Sequence, residues 1–408
     1  MYRISRRQFF QVAGSTLATL GLSQLDIQRQ AERYGKVLAQ STPRKLALLV
    51  GINQYPPEQD LRGCVNDVEL QRHLLIHRFG FNPKDIYTLI DKKATRQGIL
   101  EAFEEHLIKQ AKPEDVVVYH YSGHGSLVRD PDPIIVSSSR DKSGLNGTFV
   151  PIDSELPSSQ GGVVQDIMGH TLFLLMSALN SENVTAVLDS CYSGGATRKF
   201  KVRARNNQGK NIQISPEEKS YQEQLLSRLK FSREQFVKAY RRGVAKGVVL
   251  AATAPNQTAA DASLNGFYAG IFTYKLTQYL WQQTSTPESA IAYVVPNIPQ
   301  DFNQTPRYEV KVESGNEKKP IYFINNPSPA ADAVITEVKG NEAKLWLGGA
   351  NLGELDNGTV FTMIDAKGGS SGKVTLRSRE GLVGVATVEG AVQPGVLLRK
   401  REGLSTGI

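Results

Sequence analysis

Val116-Val-Val-Tyr-His-Tyr-Ser-Gly-His-Gly125 is the stretch on which the fold turns. A run of valines and aromatic rings ends in a histidine bracketed by two glycines. Such a continuous run fits a strand buried on both faces, which is the habit of parallel sheets. Similar runs occur on either side of it: Lys45-Leu-Ala-Leu-Leu-Val50, Asp85-Ile-Tyr-Thr-Leu-Ile90, Val184-Thr-Ala-Val-Leu-Asp189 and Gly247-Val-Val-Leu-Ala-Ala252. Ile321-Tyr-Phe-Ile324 is read as a sixth strand. Between them, Asp67 to Phe79, the segment capped by Thr95, Ile167 to Leu179, and Ile271 to Trp281 carry helical patterns. Ile134 to Val150 reads as a hairpin turning around Ser143-Gly144 and Asn146-Gly147. The predicted class is α/β: a mostly parallel six-stranded sheet with helices on both faces, spanning residues 41–325.

Asn325-Asn-Pro-Ser-Pro-Ala330 has linker composition. Beyond it, residues 333–408 break into six short strands separated by Gly, Asn and Asp, which predicts a small all-β barrel or sandwich without a chemical motif.

The chain has 408 residues, 40% hydrophobic and 22% charged, so it can bury a core and is not a disordered polymer. No apolar run reaches the ~18 residues of a membrane span. Two cysteines, Cys64 and Cys191, exclude a disulfide scaffold and an all-cysteine zinc site. The net charge of +8 is local: residues 198–246 hold 14 Lys+Arg against 4 Glu, a surplus of 10 that leaves the remainder at −2. With little aromatic interleaving, that segment does not predict a nucleic-acid partner.

At the N-terminus, Ser5-Arg-Arg-Gln-Phe-Phe10 and the apolar run Val12 to Leu22 resemble a twin-arginine export signal, with a cleavage site expected near Val37-Leu38-Ala39. Residues 1–40 are set apart on that basis. The destination expected is the periplasm or an equivalent lumen, with the cytoplasm as the alternative.

In open parallel sheets, ligands sit outside the carboxyl ends of the strands. His124 follows the third strand and Cys191 the fourth, in Asp189-Ser-Cys-Tyr-Ser-Gly-Gly195. A thiol attacks only as thiolate, and a nearby imidazole can take its proton. Adjacent glycines let backbone N–H groups reach a substrate carbonyl. Taken singly, Cys191 could be a small core residue, His124 a turn residue, or Cys191 the partner of Cys64 in a disulfide. A serine hydrolase using Ser190 or Ser193 lacks a second suitably placed base.

Tyr119-His-Tyr-Ser-Gly-His-Gly125, Asp189-Ser-Cys-Tyr-Ser-Gly194 and Leu61-Arg-Gly-Cys-Val-Asn-Asp67 resemble the blocks of caspase-like cysteine peptidases, closest to the metacaspase branch of bacterial or orthocaspase type. The resemblance covers roughly 44–325. It implies Cys191 as nucleophile, His124 as general base or acid, and the N–H groups of Gly125 and Cys191 as an oxyanion hole. It also implies an acidic specificity pocket of Asp67 and Asp189, lined by Cys64 and Ser122. Two carboxylates in a partly dry pocket call for a cation, and a guanidinium suits both. The expectation is cleavage after Arg, then Lys, and not after Asp. For Asp67 alone, a first-turn helix carboxylate is the plain alternative.

Many relatives of this kind need calcium. Here Asp153 and Asp166 occupy the implied cluster, but Gln165 and Arg198 stand at carboxylate positions, so no cofactor and no calcium requirement are expected. The basic loop 198–246 separates a large portion (41–197) from a small one (247–325), and self-cleavage is expected in it after Arg198, Lys199, Lys201, Arg203 or Arg205. The partners expected are peptides or proteins with basic residues, met by a monomer. The rival function is a regulatory or interaction module with little proteolysis.

Overall fold

The computed structural model describes residues 43–134, 144–157, 162–191, 201–205, 212–254, 257–365, 368–390 and 392–401. Its central sheet holds β1 (Lys45–Gly51), β2 (Ile86–Ile90), β3 (Val116–Ser122), β4 (Asn183–Asp189), β5 (Val248–Ala251) and β6 (Arg307–Val310), in the spatial order β6-β5-β4-β3-β1-β2. β1 to β5 pair in parallel, and β6 lies antiparallel on β5. β3 is buried along its whole length, as its sequence requires.

Alternation along the strands divides the core. Leu46, Leu48, Val117, Tyr119, Tyr121 and Ala186 face one apolar layer. Ala47, Leu49, Val118 and Val187 face the other, which continues into the C-terminal domain. Helices cover both layers: α1 (Cys64–His73), α2 (Arg96–Ala102), α3 (Gly169–Ala178), α4 (Pro216–Leu229), α5 (Arg233–Arg241), α6 (Ile271–Gln282) and α7 (Pro287–Val294). Thr95 caps α2 by accepting from the Gly98 amide.

Several elements depart from the sequence reading. The sixth strand is Arg307–Val310, not Ile321–Ile324. Residues 321–323 form a single turn in which Tyr322 and Phe323 have φ of 62° and 55°, a left-handed backbone that a strand cannot accommodate. The hairpin pairs Gly125–Arg129 with Leu145–Phe149, so its first strand begins directly after His124. α3 starts at Gly169 because Ile167 and Met168 pair with Phe149 and Thr148. The basic segment 198–246 is not a loop throughout, since it contains α4 and α5. α4 is capped by Ser215, and α5 by a reciprocal Ser232–Gln235 box.

The C-terminal domain is a closed six-stranded antiparallel barrel, β7 (Ala333–Lys339), β8 (Glu342–Trp346), β9 (Val360–Ile364), β10 (Ser370–Glu380), β11 (Val383–Glu389) and β12 (Leu397–Lys400). It packs on the end of α6, where the Gln282 side chain donates to Ala331 O (3.1 Å) and Asp332 Oδ1 (2.9 Å). Among the described residues no helix is long and apolar enough to cross a membrane. The twin-arginine segment lies outside the described residues.

Candidate active site

β3 and β4 are neighbours in register, with Ser122 opposite Asp189. His124 and Cys191 each lie two residues past that pair, so the topology delivers both to one rim. Both thiols of the chain are free and buried, which removes the Cys64–Cys191 disulfide.

His124 is held on three sides. Its amide donates to the Tyr55 hydroxyl (3.0 Å), and the Tyr55 ring lies 4.5 Å from the imidazole, centroid to centroid. Its Nε2 is 2.6 Å from Gln59 O. A carbonyl can only accept, so the ring proton sits on Nε2 and Nδ1 is the basic nitrogen. Nδ1 is buried without a hydrogen-bond partner. Burial pushes the His124 imidazole down to about 4 and the Cys191 thiol up to about 12, so both groups are neutral at pH 7.

Arg203 fills the acidic pocket. Its Nη1 is 2.7 Å from Asp67 Oδ2, 3.2 Å from Asp189 Oδ1 and 2.6 Å from Ser122 Oγ; its Nη2 is 3.0 Å from Asp261 Oδ1. All four of these residues are buried. Asp67 and Asp189 are thus brought together, with Ser122 between them and Cys64 beside Ser122. Burial raises the Asp67 carboxyl to about 7; Arg203 pulls the other way and Asp189 adds to the rise. Burial alone would lower the guanidinium of Arg203, but Asp189, Asp67 and Asp261 outweigh it and raise it above its ordinary value. Three carboxylates around one cation leave a strong demand for positive charge.

The backbone of the same residue is engaged. Arg203 O accepts from Gly125 N (3.0 Å) and Cys191 N (3.1 Å), and Arg203 N donates to Ala259 O (2.9 Å). Lys201 and Val202 pair antiparallel with Asp261 and Ala260, while Ala204 bridges Gly125 in parallel. The segment 201–205 therefore lies as an added strand between two edges, and this register sets residue 203 over the pocket.

Asp261 and Gly270 were not singled out in the sequence. Asp261 accepts from Arg62 N (2.7 Å) and Gly63 N (2.9 Å), tying the loop before α1 to the pocket. A Cβ at Gly270 would stand 2.2 Å from Asp189 Oδ2 and 2.5 Å from Arg203 Nη1, so only glycine leaves room for the guanidinium. The strands Ala260–Leu264 and Phe267–Gly270 flank Asn265-Gly266, a hairpin signal that could have placed Asp261 at a strand start. Thr273 completes the pocket by donating its hydroxyl (2.6 Å) and amide (3.1 Å) to Asp189 Oδ2.

The two carboxylates of the implied calcium cluster, Asp153 and Asp166, are both engaged by protein groups. Asp153 Oδ1 accepts from the Arg96 amide (2.8 Å), and Asp166 is buried against Ser154, the residue that follows Asp153 in the chain. Asp166 Oδ2 takes Arg205 Nη2 and the Thr148 hydroxyl, both at 2.6 Å, and its Oδ1 takes the Ser154 hydroxyl at 2.6 Å. Among the described residues no group of three or more His, Cys, Asp or Glu side chains is placed to hold a metal ion. Arg198 and Lys199 lie outside the described residues; the arginine that meets Asp166 is Arg205. Lys201 pairs with Asp60 Oδ2 at 2.6 Å, half exposed.

Sheet order, paired His and Cys loops and an acidic pocket together define a caspase-like architecture. Residues 44–322 match the caspase domain family, and the chain belongs to it. Metacaspase-1 of Meyerozyma guilliermondii is 34% identical over 182 residues, 42% of this chain and 42% of that protein. Metacaspase-1 of Schizosaccharomyces pombe is 28% identical over 268 residues, 59% of this chain and 60% of that protein. The chain thus spans about half the length of these curated relatives. Caspase-1 of Spodoptera frugiperda superposes over 66% of this chain and 87% of its own, with 10% identity and a TM-score of 0.36.

Proposed function

We propose that this protein is a cysteine endopeptidase cutting after arginine, and that the first bond it cuts is its own Arg203–Ala204. One observation carries the reading: the Arg203 guanidinium fills the acidic pocket while its carbonyl oxygen accepts from both Gly125 N and Cys191 N. That is the pose of a substrate residue before attack.

In the reaction, Cys191 Sγ adds to the Arg203 carbonyl carbon as the thiol proton passes to His124 Nδ1. The oxyanion formed stays between the two N–H groups, which are worth a few kcal/mol each. His124 then returns the proton to the Ala204 nitrogen as the C–N bond breaks. Water, deprotonated by His124, hydrolyses the thioester and restores the thiol. Gln59 O keeps the imidazole in the tautomer this sequence needs. Arginine is favoured over lysine because the forked guanidinium reaches three carboxylates and Ser122 at once, whereas an ammonium is a single point.

Among the described sequence candidates, Arg203 is the one in this pose. Arg205 sits in a different pocket, and Lys201 on the surface. No calcium is needed for this first cut, because Arg205 already neutralises Asp166.

The test compares wild type with Cys191→Ala by intact-mass spectrometry and with an Arg-ended fluorogenic amide. Wild type is expected to break between Arg203 and Ala204 and to turn over the amide; Cys191→Ala is expected to do neither. Equal behaviour of the two proteins would refute the reading and favour an interaction module.

A further inference from the structure

Self-cleavage after Arg203 makes Ala204 and Arg205 the leaving side of the cut. Residues two apart on an extended strand point the same way, so Arg203 and Arg205 descend together while Ala204 points away. Each enters its own buried pocket: Arg203 is fully buried and Arg205 is 3% exposed. Arg205 is anchored on both backbone and side chain. Its amide donates to Gly125 O at 2.8 Å. Its Nη2 reaches Asp166 Oδ2 at 2.6 Å and Ser126 Oγ at 3.2 Å, and its Nη1 reaches Ser154 O and Oγ, both at 3.3 Å.

Gly125 joins the two pockets. Its N–H holds the Arg203 carbonyl and its C=O holds the Arg205 amide, so seating the second arginine fixes the bond between them. Asp166 is buried and charge-matched, which makes the pocket selective: a neutral side chain there would leave the carboxylate without its cation. The Lys201–Asp60 pair on the other side is exposed to solvent screening and adds little selection.

We propose that Asp166, Ser126 and Ser154 form a second guanidinium subsite on the leaving side, so that the preferred substrates are peptides of the form Arg-X-Arg, cut after the first arginine. This rests on the reading of Arg203 as the residue before the cut, and it names a substrate class narrower than basic peptides.

The test uses wild-type protein and quenched fluorescent peptides containing Lys-Val-Arg-Ala-Arg-Asn, with the second arginine also replaced by citrulline, its neutral isostere, or by glutamine. Cleavage after the first arginine is expected to fall at least tenfold in kcat/KM with citrulline and further with glutamine. Equal values for the three peptides overturn the subsite. In Asp166→Asn the arginine and citrulline peptides are expected to converge; a tenfold preference that survives there overturns the assignment to Asp166. If that variant does not fold, the wild-type comparison still decides. The Arg-ended amide has no leaving-side residue, so its turnover with equal peptides rejects the subsite alone. No turnover of amide or peptides rejects the earlier reading, and this one with it.

Discussion

Cys191 and Arg203 meet through the backbone: the Cys191 amide donates to the Arg203 carbonyl oxygen at 3.1 Å. The proposed nucleophile and the proposed target are therefore already joined in the uncut chain. The consequences can be measured.

Arg203→Gln removes the cation from a pocket of three buried carboxylates. Self-cleavage at this position is expected to vanish, and stability to fall by about 3–5 kcal/mol, the usual cost of breaking a buried pair from one side. Asp67 already has a raised carboxyl, and its cost to the fold appears as pH rises through about 7. Losing Arg203 raises it further. The deficit in urea midpoint is thus expected to shrink between pH 7.5 and pH 5.5. A deficit that grows on acidification would contradict this.

Asp261→Asn weakens one arm of the fork and keeps the shape. For an Arg-ended amide, kcat/KM is expected to drop about 10–100-fold, from a charge-assisted hydrogen bond worth about 1.5–3 kcal/mol. The Lys-ended amide is expected to lose less, since an ammonium cannot fork. Parallel kinetics on both amides measure the difference.

Four histidines set an acid limit on stability. Burial pushes His73 and His120 down to about 3, and His77 and His124 to about 4. Each binds its proton more weakly folded than unfolded, so stability is full above about pH 6.5 and falls as pH drops towards 4. Asp67 works in the opposite direction but is one group against four. His120, whose two ring nitrogens both lack hydrogen-bond partners, offers a clean check. His120→Phe is expected to flatten the fall in urea midpoint between pH 7 and pH 5 by up to about one proton's worth.

Calcium is expected to leave self-cleavage of the uncut chain unchanged. Asp166 is already paired with a guanidinium and two hydroxyls, so a divalent ion would have to expel Arg205. The extent of cleavage between Arg203 and Ala204 with a chelator and with millimolar calcium should agree; clear stimulation would refute the expectation.

The sheet was legible because buried parallel strands carry unbroken apolar runs, as in β1, β3 and β4. β6 was not, because Arg307–Val310 is an edge strand whose alternate residues are exposed. Ile321–Ile324 misled because its composition suits a strand while its backbone turns left-handed after Pro320. His124 and Cys191 could be found from the strand ends they follow, while Asp67, in the first turn of α1, and Asp189, at the end of β4, came with the family resemblance. Asp261 could not, since it reaches the pocket from a hairpin near the other end of the domain's sequence. Neither could the choice of Arg203 from five basic neighbours, which depends on a register between two edges that no local pattern records.

Because the strand lying across the rim belongs to the same polypeptide, the proposed scission would be unimolecular. The half-time for it should be the same in a dilute solution as in a concentrated one. Each molecule would carry its own clock, started when the chain finishes folding.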